Sequence, residues 1–366
     1  MRNEARSPYM EFAKRSSGAQ FNLATSGMAN LPLSDLGMSL EEVEINGDNS
    51  YGYEPLKRAI AERYRVPVEC IVTTAGTSMA NHLALATVAD YGDEILVECP
   101  TYELIVRTAE YLGLRVKRFR RRADSDFSID LDDLERNLTA DTRAIVICNL
   151  HNPSGNLTSD EVLRQIGGLA RKVGAKVIVD EVYREMLWED RPQSAVHLDP
   201  ETFLSTNSLT KAYGLSGLRC GWVLCPPEIA DRMWQINDLY AATPVHPGEL
   251  MSVRAFERLP QIASKQRNLL EHNRSLLKQL LDTRDDLDYY WSGQGTTIFP
   301  ALRHQDKSRD FPRFFRDEFS GSVVPGHFFE VPERFRVGVG MFTEQIAPAL
   351  EQFGRALDAY AARNSG

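Results

Sequence analysis

Apolar residues in the middle of the chain occur in short runs, and stretches with helical spacing separate these runs. The runs with the strongest β-strand pattern cover residues 71–74, 94–98, 144–148, 176–179, 203–206 and 221–224. Helical patterns lie between them, for example over residues 78–89 and 159–172. Near-continuous apolar strands that alternate with helices are typical of a mostly parallel sheet covered on both faces. The pattern therefore predicts a three-layer α/β/α fold.

The pattern changes after residue 248. A long helical stretch over residues 249–281 is followed by short strand candidates near 295–299 and 335–339, and by a terminal helix over about 343–361. This segment predicts a smaller α+β domain. The first 45 residues precede the strand–helix alternation, so we expect them to pack with it. The expected division is therefore a large domain over residues 46–248 and a small domain formed by 1–45 and 249–366.

Composition excludes several classes of protein. The chain of 366 residues has 42 Lys and Arg against 51 Asp and Glu, a net charge of −9, whereas nucleic-acid-binding domains show a basic surface. We interpret the basic run at 115–122 as a solvated edge strand. No apolar run approaches the roughly 18 residues of a membrane span, and residues 1–6 are not followed by a secretory apolar segment. We therefore expect a cytoplasmic protein, in which the five cysteines are reduced core thiols and not metal ligands.

Polar residues follow three of the predicted strands directly. Asn152 comes after the strand at 144–148, Asp180 and Tyr183 after the strand at 176–179, and Lys211 after the strand at 203–206. Ligands of open α/β sheets bind beyond the carboxyl ends of the strands. The sequence therefore predicts that these side chains converge on one crevice.

A turn and helix start at Gly76 and Thr77 add a candidate anion site. The backbone N–H groups at a helix N-terminus bind phosphate, and Ser208 and Arg219 could complete the cradle. A helix start of this kind is by itself more often only a cap. The order and spacing of all these features together favour a phosphate-bearing ligand.

Five motifs in this sequence resemble those of the class I/II aminotransferases, the fold-type-I pyridoxal-phosphate enzymes. The segment 208–222, with Lys211 and Arg219, is similar to the family's lysine signature. The other matches are His-Asn-Pro-Ser-Gly at 151–155, Asp-Glu-Val-Tyr at 180–183, the helix start at 52–57 and the arginine strand at 335–340. The resemblance runs from about residue 21 to the end of the chain. A DNA-binding module as found in regulators with an aminotransferase-like domain would therefore have no room before it.

The resemblance implies a role for each residue. Lys211 would hold pyridoxal phosphate as a Schiff base and act as the general acid and base. Asp180 would pair with the ring nitrogen, which keeps the ring an electron sink. Arg336 would bind the substrate α-carboxylate, a task that suits a planar fork of donors, and the backbone of Gly27 would approach the same group. The remaining cofactor contacts would be Gly76, Thr77, Tyr102, Asn152, Tyr183, Ser208 and Arg219, and Asn152 would also contact substrate.

The family resemblance also implies a homodimer in which each subunit completes its neighbour's site. Many relatives carry a tyrosine for this purpose several residues before the position of Gly52, where this chain has Tyr51 directly beside it. Tyr51 takes that role, or Asn49 does, or the contact is missing. His151 is interpreted as a packing residue. His246, near the domain junction, is a candidate for the substrate side-chain pocket, which carries no other readable signature.

The predicted activity is transfer of an amino group from an L-amino acid to a 2-oxo acid, with 2-oxoglutarate as the family's usual acceptor. The same motifs also serve β-lyases, decarboxylases and cyclopropane-forming synthases. These reactions differ in which bond at Cα lies perpendicular to the cofactor ring. Sequence motifs leave that orientation, and with it the amino donor, open.

Overall fold

A computed structural model describes residues 5–16, 18–303 and 308–364. Residues 1–4 of the polar N-terminal segment lie outside this range. The strands of the described part are β1 Phe21–Asn22, β2 Ile71–Ala75, β3 Glu94–Cys99, β4 Arg115–Arg122, β5 Ser128–Ile129, β6 Thr142–Cys148, β7 Lys176–Asp180, β8 Phe203–Ser208, β9 Cys220–Leu224, β10 Leu287–Asp288, β11 Thr297–Ile298, β12 Ala301–Leu302, β13 Gly321–Ser322, β14 Val324–Pro325 and β15 Phe335–Gly338. Its helices are α1 Pro8–Ser16, α2 Glu54–Tyr64, α3 Thr77–Val88, α4 Glu103–Tyr111, α5 Leu131–Asn137, α6 Asp160–Val173, α7 Pro227–Ala241, α8 His246–Glu257, α9 Leu259–Asp282, α10 Phe311–Phe319 and α11 Thr343–Asn364.

The large sheet has eight strands in the order β2-β9-β8-β7-β6-β3-β4-β5. The five central strands from β8 to β4 are parallel to one another, and β9 runs antiparallel to both of its neighbours. Every strand that the apolar runs predict is present within one or two residues at each end. The prediction of a mostly parallel sheet is confirmed.

Helices cover both faces of this sheet, because alternate residues of each strand point to opposite sides. On one face, Ile95 and Val97 pack with residues of α3, α4 and α7. On the other face, Leu96 packs with residues of α5 and α6. All three side chains are fully buried. The predicted three-layer α/β/α arrangement is therefore confirmed.

Helix α6 illustrates how local sequence sets the ends of these elements. The Ser159 side chain accepts a hydrogen bond from the backbone N–H of Val162, which caps the helix start. Gly174 follows the last turn with φ 73°, a left-handed conformation that glycine adopts without steric cost. Leu163 and Ile166 lie on the buried face between these caps. The helix therefore begins and ends where its sequence requires, with one apolar face toward the sheet.

In the described residues, the C-terminal part forms short strands and the four helices α8–α11. The change of pattern predicts the helical stretch at 249–281 and the terminal helix, but not α10. Strand β15 pairs with β11 and β14, and β1 near the N-terminus pairs with β13. Helix α11 packs against α9 and α10. The β1–β13 pair brings the N-terminal segment against the C-terminal part, as expected for a small domain formed from both. The domain boundaries themselves remain a prediction.

The long helical stretch predicted over residues 249–281 is present, but it is divided in two. The structure has two helices, α8 and α9, which meet at Arg258. Pro260 lies in the first turn of α9. A proline cannot donate a backbone hydrogen bond, and its ring clashes with the preceding turn, so a helix can begin at this position but not continue through it.

The basic strand β4 also differs from its sequence interpretation, because one of its arginines is not solvated. Arg121 is buried and donates from Nε to Glu98 Oε2 at 2.6 Å. Its other nitrogens reach the Cys148 carbonyl and Thr158 Oγ1. A buried guanidinium needs such partners to offset its lost hydration. Arg115 and Arg122 of the same strand are exposed, as expected.

No helix in the described ranges combines the length and apolar character that a membrane crossing requires.

Candidate active site

The carboxyl ends of the adjacent strands β6, β7 and β8 open onto one cavity of about 860 Å³. Asp180 is the last residue of β7, Ser208 is the last residue of β8, and Asn152 and Lys211 lie in the loops after β6 and β8. The predicted residues that line this cavity are Thr77, Tyr102, Asn152, Asp180, Tyr183, Ser208, Lys211 and Arg219.

Asp180 lies buried at the floor of the cavity. Its Oδ2 accepts a hydrogen bond from Asn81 Nδ2 at 2.8 Å, and its Oδ1 accepts one from the Val182 backbone N–H at 3.1 Å. Burial raises the pKa of this carboxyl to about 6, although these two donors lower it. A cation placed against Asp180 would favour its ionised form. The carboxylate is thus a suitable partner for a protonated ring nitrogen.

Lys211 projects its amine into the same cavity. Nζ donates to Ser26 Oγ at 3.1 Å, and the Tyr183 hydroxyl donates to the same oxygen at 2.9 Å. Burial lowers the pKa of Lys211 to about 8, and the charge of Arg336 acts in the same direction. A substantial fraction of the amine is therefore neutral near physiological pH, as a nucleophile and base requires.

Gly27 packs directly against Lys211. A Cβ on Gly27 would lie 3.3 Å from Lys211 Cδ, and the backbone N–H of the next residue, Met28, donates to the Lys211 carbonyl at 2.8 Å. The segment therefore lies beside the reactive amine, in the neighbourhood that the sequence analysis gave to Gly27.

The predicted phosphate cradle lies at the N-terminus of α3. Gly76 has φ 83°, and a Cβ there would lie 2.4 Å from Arg219 Nη2. Thr77 Oγ1 is buried and has no hydrogen-bond partner in the described part of the chain. Arg219 Nη2 donates to the Ala75 carbonyl at 3.0 Å. A glycine for close approach, a helix N-terminus, an unpartnered hydroxyl and a guanidinium together fit a phosphate group.

Arg336 enters the site from β15 and is fully buried. Nη1 donates to Asn152 Oδ1 at 2.9 Å, and Nη2 donates to the Ala24 carbonyl at 2.9 Å and to the Tyr9 hydroxyl at 3.0 Å. Nε has no partner within the described residues. The guanidinium therefore retains a donor for an anionic group.

The aromatic residues Tyr9 and Tyr102 close one side of the cavity. Their rings meet edge to face, with centroids 5.5 Å apart. The Tyr102 hydroxyl contacts Met10 Sδ at 3.7 Å, and Met10 itself lines the cavity. Glu103 fixes α1 in this position, because its Oε2 accepts from Ser7 Oγ and from the Tyr9 backbone N–H.

Gly27, Gly76 and Arg336 do not line this cavity themselves but contact residues that do, whereas four further candidates lie elsewhere. Tyr51 is 52% exposed and donates to Asp238 Oδ2, and Asn49 is also exposed. His151 is buried, with its ring nitrogens bonded to Ser154 Oγ and the Pro100 carbonyl, and burial holds its pKa well below the usual value. His246 packs edge-on against the Tyr53 ring. Neither histidine therefore faces the Lys211 amine.

Sequence reasoning missed several residues of the site. Ser26 directly precedes Gly27, and Asn81 is four residues after Thr77, so helical spacing could have indicated that Asn81 shares a face with it. Tyr9 and Met10 carry no comparable signal, because they precede the first recognised motif. The cavity, the orphan donors, the Asp180 carboxylate and the Lys211 amine together fit pyridoxal phosphate.

The class I and II aminotransferase family model matches residues 42–353. Capreomycidine synthase of Streptomyces vinaceus is 26% identical over 354 residues, which cover 94% of this chain and 91% of that protein. Aspartate/prephenate aminotransferase of Thermus thermophilus is 26% identical over 322 residues, covering 84% and 82%. The crystal structure of a pyridoxal-phosphate-dependent aminotransferase from Streptococcus suis superposes with a TM-score of 0.89 at 25% identity, covering 97% and 98%.

These matches confirm the family resemblance, the fold class and the pyridoxal phosphate cofactor that the motifs predict. The family model covers both the lysine segment and the strand with Arg336. The chain belongs to the class I and II aminotransferase family.

Proposed function

We propose that this chain is a pyridoxal-phosphate-dependent aminotransferase that moves an amino group from an L-amino acid to a 2-oxo acid, with 2-oxoglutarate as acceptor. The observation that carries the proposal is the convergence of three complementary groups. The Lys211 amine, with a pKa of about 8, and the buried Asp180 carboxylate line one cavity, and the Arg336 guanidinium donates to Asn152, which lines the same cavity. Transamination needs a base, a partner for the ring nitrogen and a carboxylate clamp.

When bound, pyridoxal phosphate supplies an electron sink that stabilises negative charge developing at the substrate Cα. Lys211 would hold the cofactor through its amino group, and Asp180 would hold its ring nitrogen. Asn152 and Tyr183 would bind the ring 3-oxygen, and Tyr102 would pack against the ring. The phosphate would be held by Gly76, Thr77, Ser208 and Arg219.

Arg336 is the proposed binding residue for the substrate α-carboxylate. Its unpartnered Nε and its contact with Asn152 Oδ1 place two hydrogen-bonding side chains at this end of the cavity. The fork of donors matches the two oxygens of a carboxylate. The backbone of Gly27, beside Lys211, would lie close to the same group.

Lys211 is the proposed proton carrier at Cα. Because its pKa is lowered to about 8, the amine can accept a proton near neutral pH and return it in the next step.

The test is an amino-donor screen with purified protein, pyridoxal phosphate and 2-oxoglutarate. We expect glutamate to form with at least one L-amino acid, and we expect Lys211→Ala to abolish it. Absence of a visible absorption band after reconstitution with pyridoxal phosphate would contradict the cofactor assignment. A normal band with no glutamate from any donor would contradict transamination alone.

A cyclising or eliminating reaction is the second candidate. The observation in its favour is that capreomycidine synthase matches 94% of this chain, whereas the Thermus aminotransferase matches 84%. Such a reaction, like the β-lyase and decarboxylase alternatives, forms no glutamate from 2-oxoglutarate. Mass spectrometry of the products distinguishes them, since elimination releases ammonia and decarboxylation releases carbon dioxide.

We propose a homodimer whose interface lies beside the phosphate cradle. Leu239 is 81% exposed and Val245 is 66% exposed, and Tyr51 and Ile45 are further exposed apolar residues from the segment before α2. Val245 lines a second cavity together with Arg219 of the phosphate cradle. The surface formed by these exposed apolar residues therefore lies next to the cradle. Exposed apolar side chains of this kind are typical of a protein interface.

The oligomer proposal is tested by light scattering after size-exclusion chromatography. Wild-type protein should elute as a dimer, and Leu239→Asp should shift it toward the monomer and weaken pyridoxal phosphate binding. Tyr91→Asp is the matched control, because Tyr91 is 89% exposed at a different place in the fold. A wild-type monomer with full activity would refute the proposal.

A further inference from the structure

Ser26 links the Lys211 amine to the Tyr183 hydroxyl. Its Oγ lies 3.1 Å from Lys211 Nζ and 2.9 Å from the Tyr183 hydroxyl oxygen. The Ser26 side chain is 5% exposed. Within the described part of the chain, Ser26 Oγ is the hydrogen-bond partner of the Lys211 amine.

The hydrogen-bond inventory of this hydroxyl shows how it acts on its neighbours. A serine oxygen has two lone pairs and one proton. Lys211 and Tyr183 both donate to the oxygen, so both lone pairs are used. The hydroxyl proton has no acceptor in the described part of the chain and remains available to a ligand in the cavity.

The backbone around Ser26 is fixed from several directions. Thr296 Oγ1 donates to the Ser26 carbonyl at 2.7 Å, and the Met28 N–H donates to the Lys211 carbonyl at 2.8 Å. A Cβ on Gly340 would lie 2.1 Å from the Gly27 carbonyl oxygen, so the segment that follows β15 also packs closely against Gly27. The Ser26 oxygen therefore has a defined position relative to the lysine.

We propose that Ser26 is a positioning residue for Lys211. Its hydroxyl oxygen holds the amine in the cavity whenever that amine is not bonded to the cofactor, and ties it to Tyr183. Because the oxygen accepts from Nζ, it favours the protonated amine and offsets part of the effect of burial. The inference rests on the proposed function only in taking Lys211 as the reactive amine.

Other charges also act on the amine. Asp180 faces Lys211 from β7 and favours its protonated form, whereas Arg336 from β15 and Arg219 disfavour it. Tyr183 is neutral near pH 7, since burial raises its pKa well above the usual value. A variant at Ser26 leaves all four of these side chains in place and therefore isolates the hydroxyl.

The experiment measures the Lys211 amine directly in apo-protein. Acetic anhydride labels only neutral amines, and mass spectrometry of the peptide with Lys211 gives its labelling rate as a function of pH. Ser26→Ala should lower the midpoint of this profile by about one pKa unit, the size expected for loss of a hydrogen bond to a charged group. Ser26→Thr retains the hydroxyl and should restore the wild-type midpoint.

Two further variants separate positioning from a merely structural role. Thr25→Ala removes the exposed neighbouring hydroxyl and should leave the midpoint unchanged. Tyr183→Phe should shift the midpoint in wild-type protein but not in Ser26→Ala protein, because the hydroxyl that connects them is gone. Additive shifts would overturn the link between the two residues, and an unchanged midpoint in Ser26→Ala would overturn the proposal.

Thermal unfolding monitors whether each variant is folded, so that a loss of structure is not mistaken for a shift. In the loaded enzyme, kcat of Ser26→Ala should fall about tenfold while KM for the amino donor stays within a factor of two, because the hydroxyl acts on the base and not on the carboxylate clamp. The apo-protein measurement needs neither cofactor nor substrate. A shifted labelling midpoint in Ser26→Ala protein, together with no transaminase activity in the wild-type enzyme, would therefore support the positioning role of Ser26 and contradict only the proposed function.

Discussion

Replacing Asn81 by leucine tests whether the Asp180 carboxylate is tuned by its neighbour on α3. Asn81 is buried and bridges two strands, since its Nδ2 donates to Asp180 and its Oδ1 accepts from Thr206 Oγ1 at 2.6 Å. Leucine has a similar size and neither group. The variant therefore removes one of the two hydrogen-bond donors to the carboxylate while it fills the same space.

The expected magnitude follows from that single bond. A hydrogen bond to a charged group contributes about 1.5–3 kcal/mol, which corresponds to roughly one to two pKa units. The pKa of Asp180, about 6 in the wild-type protein, should rise accordingly. At pH 7 the protonated share of the carboxyl would rise from about a tenth to between about half and about nine-tenths. A protonated carboxyl no longer pairs with a ring cation, so affinity for pyridoxal phosphate at pH 7 should fall about two- to tenfold.

The assay is a titration of apo-protein with pyridoxal phosphate from pH 6 to pH 9, followed by protein fluorescence. Because the pKa is raised, the ionised fraction of Asp180 grows as pH increases, and the defect should be largest at pH 6 and smaller at pH 9. Thr87→Val is the matched control, because it removes a buried α3 hydroxyl whose bond is to the Leu83 carbonyl. A defect that does not change with pH, or that is equal in the control, would refute the reasoning.

Three further predictions concern the same cavity. The rate at which apo-protein binds pyridoxal phosphate should rise with pH, with a midpoint of about 8, because only the neutral Lys211 amine reacts. Stopped-flow absorbance measures this rate. A midpoint near 10 would contradict the lowered pKa of Lys211. Asp180→Asn should stabilise apo-protein against urea at pH 7 and weaken cofactor binding. The raised pKa of the carboxyl lowers the free energy of unfolding progressively as pH rises from about 4 to about 6, and this loss is fully present at pH 7. Tyr9→Phe removes a hydrogen bond to Arg336 and should change KM for the amino donor by about five- to tenfold with a smaller effect on kcat; an equal change in both would contradict a role at the carboxylate.

The sheet could be predicted well because its signal is local. Strands such as β3 and β7 are short apolar runs that turn residues bound, and their order along the chain indicates a parallel arrangement. The helix boundary at Arg258 could have been placed from Pro260, which cannot continue a helix. The burial of Arg121 could not, since its partner Glu98 lies on the neighbouring strand and the pairing depends on the register between them.

The site residues divide in the same manner. Asp180 and Lys211 were predictable because each follows a strand in a recognisable motif, and the sheet order brings them together. Ser26 and Tyr9 were not, because more than 180 residues separate Ser26 from Lys211, and 327 separate Tyr9 from Arg336. The positions of Ser26 and Tyr9 depend on how the N-terminal segment packs on the folded sheet. The pattern of apolar residues within 20 residues of sequence does not determine that packing.

The contacts of Arg336 indicate what must change when a substrate binds. Its two terminal nitrogens already donate to Asn152, Ala24 and Tyr9, and only Nε has no described partner. A carboxylate that engages the guanidinium through two parallel hydrogen bonds needs Nε and one terminal nitrogen, or both terminal nitrogens. Nη2 carries two of the three contacts, and of these the Ala24 carbonyl is backbone whereas the Tyr9 hydroxyl can rotate away. A carboxylate that binds through Nε and Nη2 would therefore displace the Tyr9 contact, whereas one that binds through Nε alone would leave that contact in place.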